Sequence, residues 1–245
     1  MSTAHFRFYA ELNDFIQPSH RQIRFDHLFN GRPSVKDMIE SLGVPHTEVE
    51  LILVNGEAVD FTHIVQDDDQ VSVYPMFETF DATPVLRLRP APMREPRFVL
   101  DQHLGKLATF LRLLGFDTLY RNDYGDADLA RISGDEHRIL LTRDRGLLKR
   151  SVVTHGYFVR QSEPRQQVIE VLNRFDLHRQ VTPFRRCSRC NGLLRQVDKE
   201  QITGRLPPHT QEYYDEFHIC EQCGQIYWKG SHYQHLLDFI ASVVH

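Results

Sequence analysis

All four cysteines of the chain fall in two short pairs, FRRCSRCNG and HICEQCGQ, with two residues between the members of each. Asn191-Gly192 follows the first pair and Gly224 the second, residues that permit the tight turn needed to aim two sulfurs at one ion. Four thiolates, from Cys187, Cys190, Cys220 and Cys223, fill a tetrahedral shell and leave no open position, so the pattern predicts a structural zinc site. The interval between the pairs exceeds the ~15–20 residues common in such modules, a length that a looped ribbon absorbs. Two redox dithiols in one short segment are a poorer account, disulfides are disfavoured in a reducing compartment, and iron suits the same cage less well. Residues 184–245 thus read as a zinc ribbon with a closing helix over HYQHLLDFIASVV.

Basic and aromatic residues accompany the cysteines. Arg185, Arg186 and Arg189 surround the first pair, and Tyr227 and Trp228 follow the second. Cations engage phosphates and rings stack on bases, which makes Arg185 and Arg186 candidate nucleic-acid contacts. The aromatics equally serve to fill the ribbon's small core, and for Trp228 that structural role is the expectation.

Ahead of the ribbon, strands and helices alternate. RFVLD, FDTLYRN, HRILLTRD and YFVRQ read as strands, and GKLATFLRLLG, DADLARIS and EPRQQVIEVLNRF as helices. This order predicts an α/β domain over 97–183, a parallel sheet with helices on both faces. The proline-rich stretch LRLRPAPMREP, residues 86–96, reads as a linker.

Residues 1–85 have the order β-β-α-β-β. HFRFYAEL and RQIRFDHLF alternate as strands, Ser34 caps a short helix that Gly43 ends, VELILVNGEAV turns at Asn55-Gly56, and QVSVYP is the last strand. That order resembles the β-grasp fold of ubiquitin and the sulfur-carrier proteins. A terminal Gly-Gly tail, the chemical handle of those carriers, is missing where the chain continues as MFETFDATP, so carrier chemistry is not expected. The module holds 5 Lys/Arg against 14 Asp/Glu, whereas residues 139–195 hold 12 against 4. An acidic module suits a protein partner, or restraint of a nuclease by mimicry of nucleic acid. The basic segment suits a polyanion.

Three acids fall where a parallel sheet collects its ligands. Asp101 closes RFVL, Asp144 closes RILLTR, and Asp126 opens the intervening helix, with Asp128 and Asp123 nearby as further acids. Such a set suits two-metal phosphodiester hydrolysis, in which carboxylates hold Mg²⁺ or Mn²⁺. Asp101, Asp126, Asp144 and Asp128 are therefore the candidate catalytic acids, with Lys106, Arg143 and Arg145 as phosphate contacts. Each acid also has a plain structural use: Asp126 as a helix cap, Asp144 as an ion-pair partner of a neighbouring arginine, Asp117 in turn chemistry.

The run FVLDQHLGKLATFLRLLGFDT, DADLARIS, RILLTRDRGLL, FRRCSRCNG and FHICEQCGQIYWKGSH, in that order, resembles the RNase domain first recognised at the C-terminus of the Mut-seven exonucleases. The resemblance covers about residues 97–235 well and 1–85 more loosely. It implies a PIN-like nuclease fold with an attached zinc ribbon, a ubiquitin-like domain in front, and metal-dependent cleavage of RNA. It also implies Asp101, Asp126 and Asp144 as metal ligands. The family often has an acidic run at the start of the second helix; here the run is broken by Ala127, which leaves open which acid completes the site.

The expectation is a metal-dependent ribonuclease with structural Zn²⁺ and catalytic Mg²⁺ or Mn²⁺. Its rival is a non-catalytic RNA-binding or ribosome-associated zinc-ribbon adaptor. No apolar run approaches the ~20 residues of a membrane helix, and MSTAHFRFYAEL lacks the form of a signal peptide, so a cytoplasmic location and no membrane partner are expected.

Overall fold

The computed structural model describes residues 1–75 and 95–244. Most of the expected linker over 86–96 lies outside them. In chain order the N-terminal region contains β1 (Ser2–Phe8), β2 (Phe25–Phe29), α1 (Val35–Ser41), β3 (Val49–Val54), β4 (Glu57–Val59) and β5 (Gln70–Pro75). Next come β6 (Arg97–Leu100), α2 (Gly105–Leu113), β7 (Asp117–Tyr120), α3 (Asp126–Asp135), β8 (Ile139–Thr142), α4 (Arg145–Leu148), β9 (Gly156–Phe158) and α5 (Pro164–Arg174). The C-terminal region holds β10 (Leu194–Val197), α6 (Lys199–Ile202), α7 (Pro208–Tyr213), β11 (Phe217–Cys220), β12 (Ile226–Trp228) and α8 (Tyr233–Val243).

These elements form two compact units, Met1–Glu95 with Asp126–Phe158, and Pro96–Gly125 with Val159–His245. In the first unit five strands make a mixed sheet in the order β2-β1-β5-β3-β4. β1 runs antiparallel to β2 and parallel to β5. Alternate residues of β1 and β5 point inward, so Phe6, Phe8, Val71 and Val73 join Ile39 of α1 and Ile52 of β3 in one apolar core. The sequence pattern and the sheet agree on a β-grasp arrangement.

Local chemistry sets the element ends. Ser34 and Asp37 form a reciprocal capping box: the Ser34 hydroxyl accepts the Asp37 N–H, and the Asp37 carboxylate accepts the Ser34 N–H. Asn55 and Gly56 both have positive φ, 53° and 89°, which suits the twist of the tight β3–β4 hairpin. The strand expected through Leu12 instead ends at Phe8. Asn13 donates to the carbonyls of Phe8 and Ala10 at 3.0 and 2.9 Å, which pulls the chain into a 3-10 turn over Ala10–Asp14 and buries Leu12.

The remainder of the first unit is α3, β8, α4 and β9. β8 pairs parallel with β9. All four residues of β8 are buried, as a strand covered on both faces requires. Specific contacts join segment 126–158 to the N-terminal sheet. Phe158 packs on the sheet's core and meets the Phe15 ring edge-on, centroids 5.6 Å apart. The His46 ring lies 2.6 Å from Glu40 Oε1 and 2.9 Å from the carbonyl of Val153. Lys149 donates to the carbonyl of Glu40.

In the second unit β6 and β7 pair parallel, with α2 between them in sequence and packed on α5. Gly115 ends the turn after α2 with φ 99°, and a side chain there would strike the Thr182 carbonyl. β10, β11 and β12 form an antiparallel three-stranded ribbon. Val197, Ile202, Leu206, Phe217 and Ile226 fill its core, with Trp228 packed against them.

Candidate metal centre and the carboxylate positions

The two cysteine pairs sit on turns of the same design. Asn191 N–H donates to the Cys187 carbonyl at 2.9 Å, and Gly224 N–H donates to the Cys220 carbonyl at 3.0 Å. Each turn has a residue of positive φ just past its second cysteine, Asn191 at 74° and Gly224 at 68°. Gly192 has no room for a side chain, because a Cβ there would lie 2.8 Å from Cys220 Sγ. The four sulfurs all lie within 4.8 Å of one another. Cys187 and Cys223 are 3.7 Å apart, and Cys190 and Cys220 3.4 Å. A tetrahedron with metal–sulfur bonds of about 2.3 Å has edges of roughly 3.8 Å, so the cage fits a thiophilic tetrahedral ion such as zinc.

The electrostatics of the thiols fit the same conclusion. Burial opposes ionisation of Cys187, but the Tyr227 hydroxyl, 3.0 Å away, and the N–H groups of Cys190 and Arg189 lower its thiol to about 7. Cys190 is pushed up to about 12 by burial, reinforced by the neighbouring cysteines. Burial likewise raises Cys223. Four adjacent sulfurs ionise together only around a cation.

The first knuckle is bolted to β7 and α2. Asn191 accepts the Thr118 N–H and donates to Asp117 Oδ1, both at 2.9 Å, and Arg186 pairs with Asp117 at 3.2 Å. Arg112 of α2, 4% exposed, donates to the carbonyls of Thr118, Ser188 and Arg189 at 2.9, 3.2 and 3.1 Å. The role expected of Asp117 is thereby corrected: it anchors the ribbon. Nothing in local sequence marks Arg112 or Asn191 for this, because their partners lie as far as 77 residues away.

The candidate acids are distributed over both units. In the second unit Asp101 follows β6, is 6% exposed, and accepts the N–H of His103 at 2.8 Å, capping a 3-10 turn over Gln102–Leu104. Lys106 is exposed in the first turn of α2. In the first unit Asp144 follows β8 and is exposed. Its Oδ1 accepts the N–H groups of Gly146 at 2.7 Å and Leu147 at 3.4 Å, which makes it the N-cap of α4. Asp126 is the first residue of α3, one position inside the helix from the cap position expected of it, and lies 3.8 Å from Arg150. Asp128 pairs with Arg131 at 3.7 Å, one turn on. Asp123 is held by Arg121, which lowers its carboxyl below the ordinary value.

The arginines flanking Asp144 are both exposed. Arg145 donates to the carbonyls of Asp14 and Phe15 at 3.2 and 3.4 Å, with its guanidinium 5.0 Å from the Phe15 ring centroid and 5.4 Å from that of Phe158. At the ribbon, Arg186 is tied to Asp117, whereas Arg185 is exposed with no ion-pair partner among the described residues. Among the described residues no helix is long and apolar enough to cross a membrane.

The family model described as the Mut7-C RNAse domain matches residues 96–240, and that described as Mut7-C ubiquitin matches residues 1–81. No curated protein and no solved structure matches the chain.

Proposed function

The chain belongs to the Mut7-C RNAse domain family, and from that premise we propose that it is a ribonuclease of PIN-like fold that hydrolyses RNA phosphodiester bonds at a carboxylate site. One observation carries the reading beyond the family: in each unit a strand of a parallel pair ends in an aspartate, Asp101 after β6 and Asp144 after β8. Ligands collect at such carboxyl ends. Asp101, Asp126 and Asp144 are assigned the metal, with Asp128 as the further acid. An all-oxygen donor set of this kind suits Mg²⁺ or Mn²⁺. A bound ion of that type lowers the pKa of water and neutralises charge on the leaving oxygen.

The chain's own residues supply the rest. The backbone N–H groups of His103 and Gly146 donate to Asp101 and Asp144 and help orient each carboxylate. Lys106, Arg143 and Arg145 are assigned to phosphates near the acids, and Arg185 and Arg186 to phosphates near the ribbon. The four cysteines hold zinc, which keeps the ribbon folded and takes no part in the chemistry. RNA is the partner. The acidic β-grasp module is assigned a protein partner.

A second reading has an observation in its favour. Asp101 and Asp144 each cap a helical turn, a sufficient structural use for both. The chain would then be an RNA-binding or ribosome-associated adaptor. Purified protein incubated with total RNA and Mn²⁺ separates the two. The ribonuclease reading expects cleavage that a chelator stops and that Asp101→Asn and Asp144→Asn each reduce by about a hundredfold or more, with RNA binding kept. Cleavage undiminished in both variants would sink the carboxylate site, and RNA bound but never cut would favour the adaptor.

A further inference from the structure

The second unit contains a cleft of about 530 Å³ between α2, the ribbon and the start of α8. That volume falls within the ~300–1,000 Å³ typical of small-molecule sites. Its lining includes the rings of Phe110, Phe184, Tyr227, Trp228 and Tyr233.

Each of these rings has a partner that fixes it in place. Phe110 stacks on Phe239, centroids 4.2 Å apart. Phe184 lies against Tyr233 at 5.1 Å. Tyr227 is fixed by its hydroxyl at Cys187, and Trp228 packs on the ribbon core. A preformed aromatic slot loses little conformational freedom when something enters it.

The charge around the slot is positive where it is uncompensated. Lys229 and Glu216 at the rim neutralise each other, and Arg186 pairs with Asp117. Arg185 and Arg189, each next in the chain to a lining residue, are exposed and have no ion-pair partner among the described residues. Flat apolar faces beside free guanidinium groups match a base attached to a phosphodiester backbone, since stacking takes any base and the cations take the backbone.

We propose that this cleft is a stacking subsite for an unpaired base of single-stranded RNA, with Arg185 and Arg189 on the flanking phosphates. The inference rests on RNA being the partner. A duplex buries its base faces and cannot use the slot, so the subsite selects single strands or frayed ends and ties substrate choice to the ribbon. Selection of this kind needs no base-edge hydrogen bonds and is tolerant of sequence.

Trp228 is the chain's one tryptophan, so its emission reports on the cleft directly. The test titrates full-length protein, without added divalent cation, with a short single-stranded oligoribonucleotide and with a duplex of the same length. Anisotropy of a label on the RNA follows total binding in parallel. The expected result is saturable quenching of Trp228 by the single strand and little by the duplex. Tyr233→Leu and Phe110→Leu should each weaken single-strand binding roughly tenfold with zinc content unchanged. RNA bound by anisotropy with Trp228 emission unmoved would overturn the subsite and leave RNA as the partner. Absence of both binding and Mn²⁺-dependent cleavage would remove the subsite and the ribonuclease reading together. Emission that changes with protein concentration alone would mean that a second copy covers the cleft, which also overturns the proposal.

Discussion

Glu48, fully buried in the N-terminal sheet region, accepts the backbone N–H of Phe158 at 2.6 Å across 110 residues of chain. A buried carboxylate needs such a donor, and the end of β9 supplies it. The ubiquitin-like module and segment 126–158, which carries Asp126, Asp128 and Asp144, are therefore parts of one folded unit. Glu48→Ala leaves a buried N–H without its acceptor and should destabilise the protein by about 2 kcal/mol or more. Thermal unfolding measures this, and an unchanged midpoint would show that water replaces the carboxylate. The same contact bears on restraint by the acidic module. Removal of residues 1–85 should lower activity through loss of structure; a rate that rises would speak for inhibition instead.

Arg145 offers a sharper test of role. Its guanidinium bonds two carbonyls and lies near two rings, a geometry that a lysine ammonium does not reproduce. Arg145→Lys should lower stability nearly as much as Arg145→Ala, on the order of 1–2 kcal/mol. A residue that only meets phosphate would tolerate lysine. Denaturant titration beside RNA binding resolves the two, and full retention of stability in both variants would release Arg145 from its structural part.

The cysteine cage should behave as part of the fold. Chelation, or Cys187→Ser, should remove one equivalent of zinc by elemental analysis and melt the ribbon, since structural zinc supplies folding free energy. Cation-bound thiolates compete with protons, so zinc retention should weaken as pH falls. Amide exchange across 185–228 that is indifferent to chelator would refute a metal-dependent ribbon.

Asn191 combines a left-handed backbone with a side-chain bridge to β7, and two substitutions separate these. Asn191→Gly keeps the backbone free and loses the bridge, which should cost about 1–3 kcal/mol. Asn191→Ala loses both and adds strain of roughly 1 kcal/mol. Equal melting points for the two variants would mean that the backbone conformation is unimportant.

Much of this was legible locally. Ser34 with Asp37 announces α1, Asn55-Gly56 announces the hairpin, and the apolar runs RFVL and ILLT announce buried parallel strands. The cysteine pairs were legible because ligand spacing repeats within a few residues. What escaped depends on distant partners. Asp144 as a helix cap needed the four-residue helix α4, too short to show periodicity. Asp117, Arg112 and Asn191 gain their meaning only when the knuckle reaches β7. The grouping of 126–158 with the N-terminal sheet rests on single residues such as His46, Glu48 and Lys149, which no pattern distinguishes from surface polar residues.

The interleaving of the two units also has a temporal side. During synthesis the N-terminal sheet emerges first, yet Phe158, which packs on its core and satisfies Glu48, emerges after Pro96–Gly125 of the other unit. The first unit therefore waits, without the Phe158 N–H for Glu48, while a stretch destined for the other unit passes through the ribosome. Each unit is interrupted in the sequence by a stretch of the other, so a nascent chain stalled before Phe158 carries a ubiquitin-like module that is assembled but not closed.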